Sequence, residues 1–510
     1  MEIRSTMGLS DSMASGVALK FELHGIECIP APDRTATLWG FIRLQWGGAN
    51  SLATAVLGSL PIILGLSLMQ GAISILIGVC GGSLVLAPMT LFGPINGTNN
   101  AVSSSAHFGV VGRIVGSFLS LLTAISFFAI SVWASGDALV GAGHRLQLFP
   151  ESNLAYALSY GVIAVIVLLV CIYGFHVMMS LTRVTVVVST TLFLGGFLVF
   201  WPRLDWQFPG KGLHPGDPGF WPLFVGATVL ALANPISYGA FLGDWSRYLP
   251  WDTPPPRLMG ATVLSQLMTL FPLGFGLCAA SIIASQLPEY IAKGDFMGGL
   301  LALTPASFFA PLMLLALVSG LSTGTTSLYG TGLDFSSVFP RFSRAQATLF
   351  IGTLSIALIF IGRFAFNLVT MISTFIALIV VMTTPWMVIM TLGYLIRRGF
   401  YRADDLQVFN RGLRGGAYWF WHGWNVAGMA AWLFSSSISL MALDIPGQFV
   451  GWLARLSGGV DLSIAMAVLL PAILYPCFLC IFPDPGDVYG PEGPRWFRLP
   501  KLYTLERGNA

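Results

Sequence analysis

The sequence predicts an all-α polytopic membrane protein of twelve transmembrane helices. Three observations predict it: 55% of the 510 residues are hydrophobic and 9% charged, the charges leave long gaps, and the basic residues gather on one side of the resulting spans. Soluble domains carry about a quarter charged residues, so this balance excludes a water-soluble enzyme or nucleic-acid binder. The formal net charge of +3 is too near neutral for a polyanionic partner, and 6 Cys make no disulfide framework. The expected partners are a small-molecule substrate and the lipid bilayer, with no nucleic acid. The oligomeric state is left open.

A helix needs about 20 mostly apolar residues to cross the hydrocarbon core, because lipid offers no partner to a stray charge or backbone group. The charge-free gap Leu44–Gly112 holds spans 1 and 2. Spans 3 to 7 fall in Ile114–Gly136, Ser152–Thr182, Val184–Pro202, Pro218–Gly243 and Leu258–Pro288. Spans 8 to 12 fall in Phe296–Leu333, Ala345–Gly362, Phe364–Ile396, Gly415–Leu443 and Leu462–Pro483. The stretch Ile445–Ala454 is too short to cross and reads as an interfacial loop.

With twelve spans both tails share a side. That side takes 19 of the 25 Lys and Arg, while the other has Arg145, Arg203, Lys211, Lys293, Arg363 and Arg455. The bias predicts cytoplasmic termini in a multi-pass plasma-membrane protein. Residues 1–43 are polar and lack an apolar h-region, so no cleavable signal peptide is expected.

Two spans carry helix breakers in corresponding places. Span 1 contains Gly47, Gly48, Ala49 and Asn50, and span 6 contains Ala233, Asn234 and Pro235. Pro235 cannot donate a backbone bond, and paired glycines allow the chain to open at little steric cost. Either break alone reads equally as packing glycines or an ordinary kink. As the first helices of two five-helix halves, the two together predict the inverted repeat of a secondary transporter, with substrate and ion held at the midplane. The expected division is a 1–43 cytoplasmic tail, a 44–202 first repeat, a 203–217 extracellular loop and a 218–396 second repeat. Residues 397–483 form a cytoplasmic loop with two peripheral helices, and 484–510 a cytoplasmic tail.

Several segments resemble one family. They are WGGANS (Trp46–Ser51), AHFGVVGR (Ala106–Arg113), AISFFAISVWASGDAL (Ala124–Leu139), DWSRYLP (Asp244–Pro250), STGTTSLYGTGLDF (Ser322–Phe335), GYLIRRGFY (Gly393–Tyr401) and YWFWHGWNVAGMAAW (Tyr418–Trp432). In this order and spacing the chain resembles the nucleobase–cation symporters, the group of purine/cytosine permeases and hydantoin or allantoin transporters. The resemblance implies a LeuT-type fold of ten core helices plus two peripheral ones, with a flat nitrogenous ring held between spans 1, 3, 6 and 8. It implies that an aromatic residue on span 3 stacks on the ring and a polar residue one turn later bonds its edge, which matches Phe127 and Ser131. Family members usually carry Trp and then Asn or Gln there, and often Asn where Gly324 follows Ser322 and Thr323, so the chain departs at all three.

A planar heterocycle has apolar faces and a polar rim, so its site needs aromatic faces and a few placed donors and acceptors. Asn50, Asn234, Ser237 and Tyr238 near the breaks are candidates, with Phe127, Ser131, Thr326 and Ser327 across from them. The plainer role of the hydroxyls is helix–helix packing. No acid falls in the middle of a span, and Asp137, Asp244 and Asp334 at span ends are expected to be solvated or capping. Proton carriers usually place an ionisable group within the membrane, so Na⁺ is favoured over H⁺ as the coupling ion. Gly47 and Asn50, where span 1 unwinds, with Ser322 and Thr323 form the expected sodium site, an arrangement the resemblance also implies. His107 and His176 are expected to be structural, and no cofactor is expected.

Cys477 and Cys480 read as buried apolar thiols, Gly78 and Gly82 as a packing pair, and Pro254–Pro256 as a stiff linker. The leading expectation is a cation-coupled importer of a nucleobase or related ring by alternating access. An amino-acid or amine transporter of the same fold is the alternative. A membrane-embedded enzyme would need a nucleophile with its base, paired carboxylates or metal ligands within the spans, and a channel would need a repeated filter segment; neither pattern occurs.

Overall fold

A computed structural model of the chain describes residues 25–173, 175–339, 341–365, 368–445 and 449–496. Among these, ten helices are long and apolar enough to cross a membrane, and Leu38–Ala49 with Leu52–Leu64, bent by 59°, makes an eleventh crossing. Val426–Met441 is shorter, at 16 residues, or about 24 Å against a hydrocarbon core of about 30 Å. The twelve expected spans are consistent with this set.

Span 1 is the bent pair, span 2 begins with Leu68–Leu86, span 3 is Ile114–Arg145, span 4 Asn153–Tyr173 and span 5 Phe175–Phe200. Span 6 is Phe220–Ser237 followed by Leu242–Ser246, and span 7 is Pro255–Leu267 with Leu270–Gln286. Span 8 is Ala306–Val338, span 9 Arg344–Ala365, span 10 Leu368–Ile396, span 11 Val426–Met441 and span 12 Ser463–Ile481.

The packing repeats when every span is advanced by five. The second half of span 1 packs on span 7, and span 6 packs on span 2; the first half of span 1 packs on span 5, and span 6 on span 10. Span 4 touches spans 3 and 8, and span 9 touches spans 8 and 3. Spans 3 and 8, the pair that maps onto itself, run along each other at the centre. Spans 11 and 12 pair at the edge against span 10. This is the predicted all-α inverted repeat with two peripheral helices.

Lipid is as apolar as a leucine side chain, so these contacts depend on close backbone approach. A methyl group on Gly78 would lie 2.6 Å from the Thr228 carbonyl oxygen and one on Gly82 2.7 Å from that of Leu232, which fits the expected packing pair of span 2 against span 6. The related contact of spans 1 and 7 uses Gly276, where a methyl group would lie 1.8 Å from the Ala55 carbonyl.

The first and last described stretches of the chain pack against the segment that follows span 10. Gln407, between spans 10 and 11, donates to the Ile26 carbonyl at 3.2 Å, and the Arg495 amide donates to the Ile396 carbonyl at 2.9 Å. Beneath these contacts Arg397 and Asp484 form a buried ion pair at 2.8 Å, with Asn425 Nδ2 on the other carboxylate oxygen at 2.7 Å. Burial raises the Asp484 pKa against the pull of the guanidinium, and on balance its anionic neighbours raise that of Arg397. His107 sits close by, its Nε2 3.0 Å from Tyr401 Oη. Burial and the Arg397 charge hold its pKa well below the usual imidazole value.

Several expectations are corrected. The charge gap starts span 1 at Leu44, but the helix starts at Leu38 and carries Arg43 within it. This places the break mid-span. Gly47 and Gly48 stay helical, and the chain opens at Asn50 and Ser51, whose ψ values of 68° and 161° leave the helical region. Likewise the span 6 helix runs through Pro235 and breaks after Ser237. A proline withholds one hydrogen bond but need not end a helix that neighbours hold in place.

Span 11 begins at Val426, because Asn425 caps the helix and Tyr418–Trp424 forms a tight turn bridged by Trp421 and Trp424. Pro255 and Pro256 open the span 7 helix instead of linking spans. Cys477 and Cys480 are exposed on the outer face of span 12, not buried. Asp244 and Asp334 are buried, not solvated. Asp137 takes a hydrogen bond from Tyr160, which also accepts one from Arg363. The side chain of His176 lies outside the described residues.

Candidate functional site

The break in span 1 sets a helix C-terminus against a helix N-terminus. Free carbonyls at the first carry partial negative charge and free amides at the second partial positive charge. Ser51 caps the second half, its hydroxyl accepting from the Thr54 amide at 3.3 Å. The Leu52 amide donates to Ser319 Oγ of span 8 at 3.3 Å.

The carbonyls of the first half face hydroxyls. Ser322 Oγ donates to the Gly47 carbonyl at 2.8 Å and Thr323 Oγ1 to that of Gly48 at 2.6 Å. Thr185 of span 5 donates to Ser322 Oγ at 3.1 Å. These contacts need both glycines. A methyl group on Gly47 would lie 2.8 Å from Val186 Cγ2, and one on Gly48 2.8 Å from Thr326 Oγ1. Gly47, Ser322 and Thr323 are therefore brought together. Asn50 turns away from them toward span 5, donating Nδ2 to Thr190 Oγ1 at 2.9 Å. The cluster contains only neutral oxygens, a donor set that suits a hard monovalent cation and needs no ionisable ligand.

Span 3 presents Phe127 and Ser131 one turn apart, both buried. Ser131 Oγ donates to the Phe128 carbonyl at 2.8 Å and faces Gly324. A methyl group on Gly324 would stand 3.1 Å from Ser131 Oγ and 2.9 Å from Val167 Cγ2 of span 4. The departures at 131 and 324 thus occur together: span 8 lies against spans 3 and 4 where a larger side chain has no room. Thr326 Oγ1 donates back to the Ser322 and Thr323 carbonyls at 2.9 and 3.0 Å, and Ser327 beside it is buried.

At the span 6 break, Ser237 Oγ donates to the Asn234 carbonyl at 2.6 Å. The Tyr238 ring packs on Phe241 and Trp245 at 5.4 and 5.8 Å. Asn234 Nδ2 points to Thr269 of span 7 at 3.2 Å, away from spans 3 and 8. A second buried amide contact, Gln266 Nε2 to Gln45 Oε1 at 3.3 Å, joins span 7 to span 1.

Sequence reasoning missed Thr185, Thr190, Ser319, Gln45 and Gln266. The span 5 contribution left a signal: Thr182, Thr185 and Ser189 recur at the three- and four-residue spacing of one helix face, and Thr190 adjoins the last of them. The glutamines left none, since a single Gln in an apolar helix has no period.

Comparison with known proteins places this geometry. Residues 28–465 match the family model described as permease for cytosine/purines, uracil, thiamine, allantoin. A Bacillus subtilis protein whose assigned name is purine-cytosine permease YxlA is 22% identical over 476 residues, covering 90% of this chain and 95% of that one. The purine-cytosine permease fcyB of Emericella nidulans is 24% identical over 487 residues, covering 90% and 88%. Among solved structures, the nucleobase-cation-symport-1 family transporter Mhp1, in a closed conformation with bromovinylhydantoin bound, superposes with a TM-score of 0.68 at 16% identity, over 93% of this chain and 98% of that one.

Proposed function

This chain belongs to the family of permeases for cytosine and purines, uracil, thiamine and allantoin, and on that premise we propose that it imports a flat nitrogenous ring by Na⁺ symport across the plasma membrane, with both termini in the cytoplasm. Spans 1, 2, 6 and 7 rock as one group against spans 3, 4, 8 and 9, within repeats at 44–202 and 218–396. Phe127 and Tyr238 supply ring faces; Asn50, Ser131, Ser237, Thr326 and Ser327 supply edge contacts, and Asn234 joins them by exchanging its hydrogen bond to Thr269 for one to the ring.

One observation carries the cation assignment: two span 1 carbonyls already lie within 2.8 Å of two span 8 hydroxyls. A sodium ion entering there exchanges each hydroxyl–carbonyl hydrogen bond for two oxygen ligands. It thereby ties span 1, in the moving group, to span 8, in the fixed group, so binding favours one arrangement of the two. The 19-to-6 distribution of Lys and Arg supports the cytoplasmic placement of the ends.

The test is uptake of labelled cytosine, adenine, uracil, hydantoin and allantoin into proteoliposomes, with and without an inward sodium gradient. Accumulation of at least one ring, raised by the gradient, is expected. Accumulation of a labelled amino acid but none of the rings would overturn the substrate reading, and uptake indifferent to sodium would overturn the ion.

A further inference from the structure

The turn that leads into span 11 holds two side chains where glycine is usual. Phe420 and His422 have φ values of 42° and 51°, a left-handed backbone that is costly for any residue with a Cβ and persists only where the surroundings impose it. Here they do. The backbones of Trp421 and Trp424 exchange hydrogen bonds at 3.1 and 2.9 Å, the Gly423 carbonyl accepts from the Val111 amide at 2.8 Å, and the Asn425 amide donates to the Phe108 carbonyl at 2.9 Å. The turn is thereby fixed to the segment before span 3, with Trp421 left 67% exposed. An ordinary aromatic anchor at a membrane surface needs no such backbone.

Between this turn and the end of span 12 lies a cavity of about 710 Å³. Phe420, Trp421 and Trp424 line it from the turn and Phe482 from span 12, and Asn425 and Asp484 also stand in its wall. Among the described residues Asp484 is the one charged group there; its partner Arg397 is not part of the wall. The Asp484 oxygens accept from Arg397 at 2.8 Å and Asn425 at 2.7 Å, and each keeps a further lone pair. Aromatic faces beside a carboxylate suit an alkylammonium group, which both attract, and give an anionic group no cation to pair with. The open side is apolar: Trp421, Ile481 and Phe482 are exposed there, on two helices that pair at the edge of the bundle. In a bilayer such surface is covered by lipid.

We propose that this cavity binds one zwitterionic phospholipid of the membrane, its ammonium headgroup among Phe420, Trp421 and Trp424 beside Asp484, and its acyl chains along Ile481 and Phe482 in the groove between spans 11 and 12. The strained turn is what brings the three aromatic residues to one headgroup. The site is built from the two peripheral spans, which contribute none of the residues at the span 1 and span 6 breaks. It rests on the chain lying in a membrane, and on no particular ring, coupling ion or transport step.

The test is native mass spectrometry of the full chain, purified in detergent and titrated with phosphatidylcholine, phosphatidylethanolamine, phosphatidylglycerol and diacylglycerol of the same acyl chains. One phosphatidylcholine or phosphatidylethanolamine is expected to bind about fivefold or more tightly than phosphatidylglycerol or diacylglycerol. Trp421→Ala and Trp424→Ala should each weaken that binding by about fivefold or more, while Trp206→Ala, on the exposed loop after span 5, should leave it unchanged. Thermal unfolding of each variant separates a lost contact from a lost fold, and Trp421→Ala, at an exposed position, should unfold at the parental temperature. Phosphatidylglycerol bound as tightly as phosphatidylcholine would overturn the proposal, as would both tryptophan variants keeping the parental affinity. So would displacement of the lipid by free choline at equal concentration, which would make the occupant a soluble amine.

Discussion

The hydroxyl of Thr323 lies 2.6 Å from the carbonyl oxygen of Gly48, on a helix that is distant in sequence and belongs to the other repeat. This contact joins the two repeats at the depth where span 1 opens. It depends on a glycine, because any side chain at position 48 would meet Thr326.

Removing one of the paired hydroxyls should weaken the cation without dismantling the fold. Ser322→Ala is expected to raise the sodium concentration for half-maximal uptake about tenfold, from a hydroxyl contact worth roughly 1–1.5 kcal/mol. Sodium titrations of ring uptake in proteoliposomes check this. An unchanged midpoint would take Ser322 out of the ion's coordination.

Phe127→Ala should weaken ring binding by roughly 0.5–1.5 kcal/mol plus the burial lost with the phenyl group. Equilibrium binding of whichever ring is accumulated measures it. If affinity is unchanged, Phe127 is packing alone.

The seam between spans 3 and 8 should tolerate no added bulk. A methyl group on Gly320 would lie 1.8 Å from Ser135 Oγ, so Gly320→Ala is expected to cost about 1–3 kcal/mol through forced displacement. Thermal unfolding in detergent should show a lower midpoint, and Ser135→Gly in the same chain should recover much of it.

Stability should fall on the acid side, with His107 as one contributor. Its pKa is held well below 6.5 in the folded protein by burial and by Arg397. Below about pH 6.5 the unfolded chain binds a proton that the folded chain refuses, so unfolding becomes easier as pH drops through that window. His107→Gln is expected to flatten this limb of a stability-versus-pH curve measured by thermal denaturation. An unaltered slope would exclude His107 as the group responsible.

Much of this was legible in the residues. Charge gaps located the crossings, because lipid punishes a charge wherever it falls, and the pairing of breaks in spans 1 and 6 pointed to the repeat. Where the reading slipped, a single rule had been pushed too far. Arg43 ended a gap yet lies inside a helix, where a long side chain can carry its charge toward the interface. Pro235 marked the right region but not the breaking residue, since span 6 is held by span 2 beyond it. Ser322 and Thr323 were found through their motif, whereas Gln45 and Gln266 stand alone in apolar sequence. The burial of Asp334 could not be inferred from its place near a span end, because it depends on what span 6 lays over it.

The buried pair of Arg397 and Asp484 sets practical limits on how the chain can be cut or extended. A truncation before Asp484 would strand a guanidinium in a dry interior, with a penalty of about 3–5 kcal/mol. Purification handles and fluorescent fusions therefore belong after Trp496, where they leave this anchor whole.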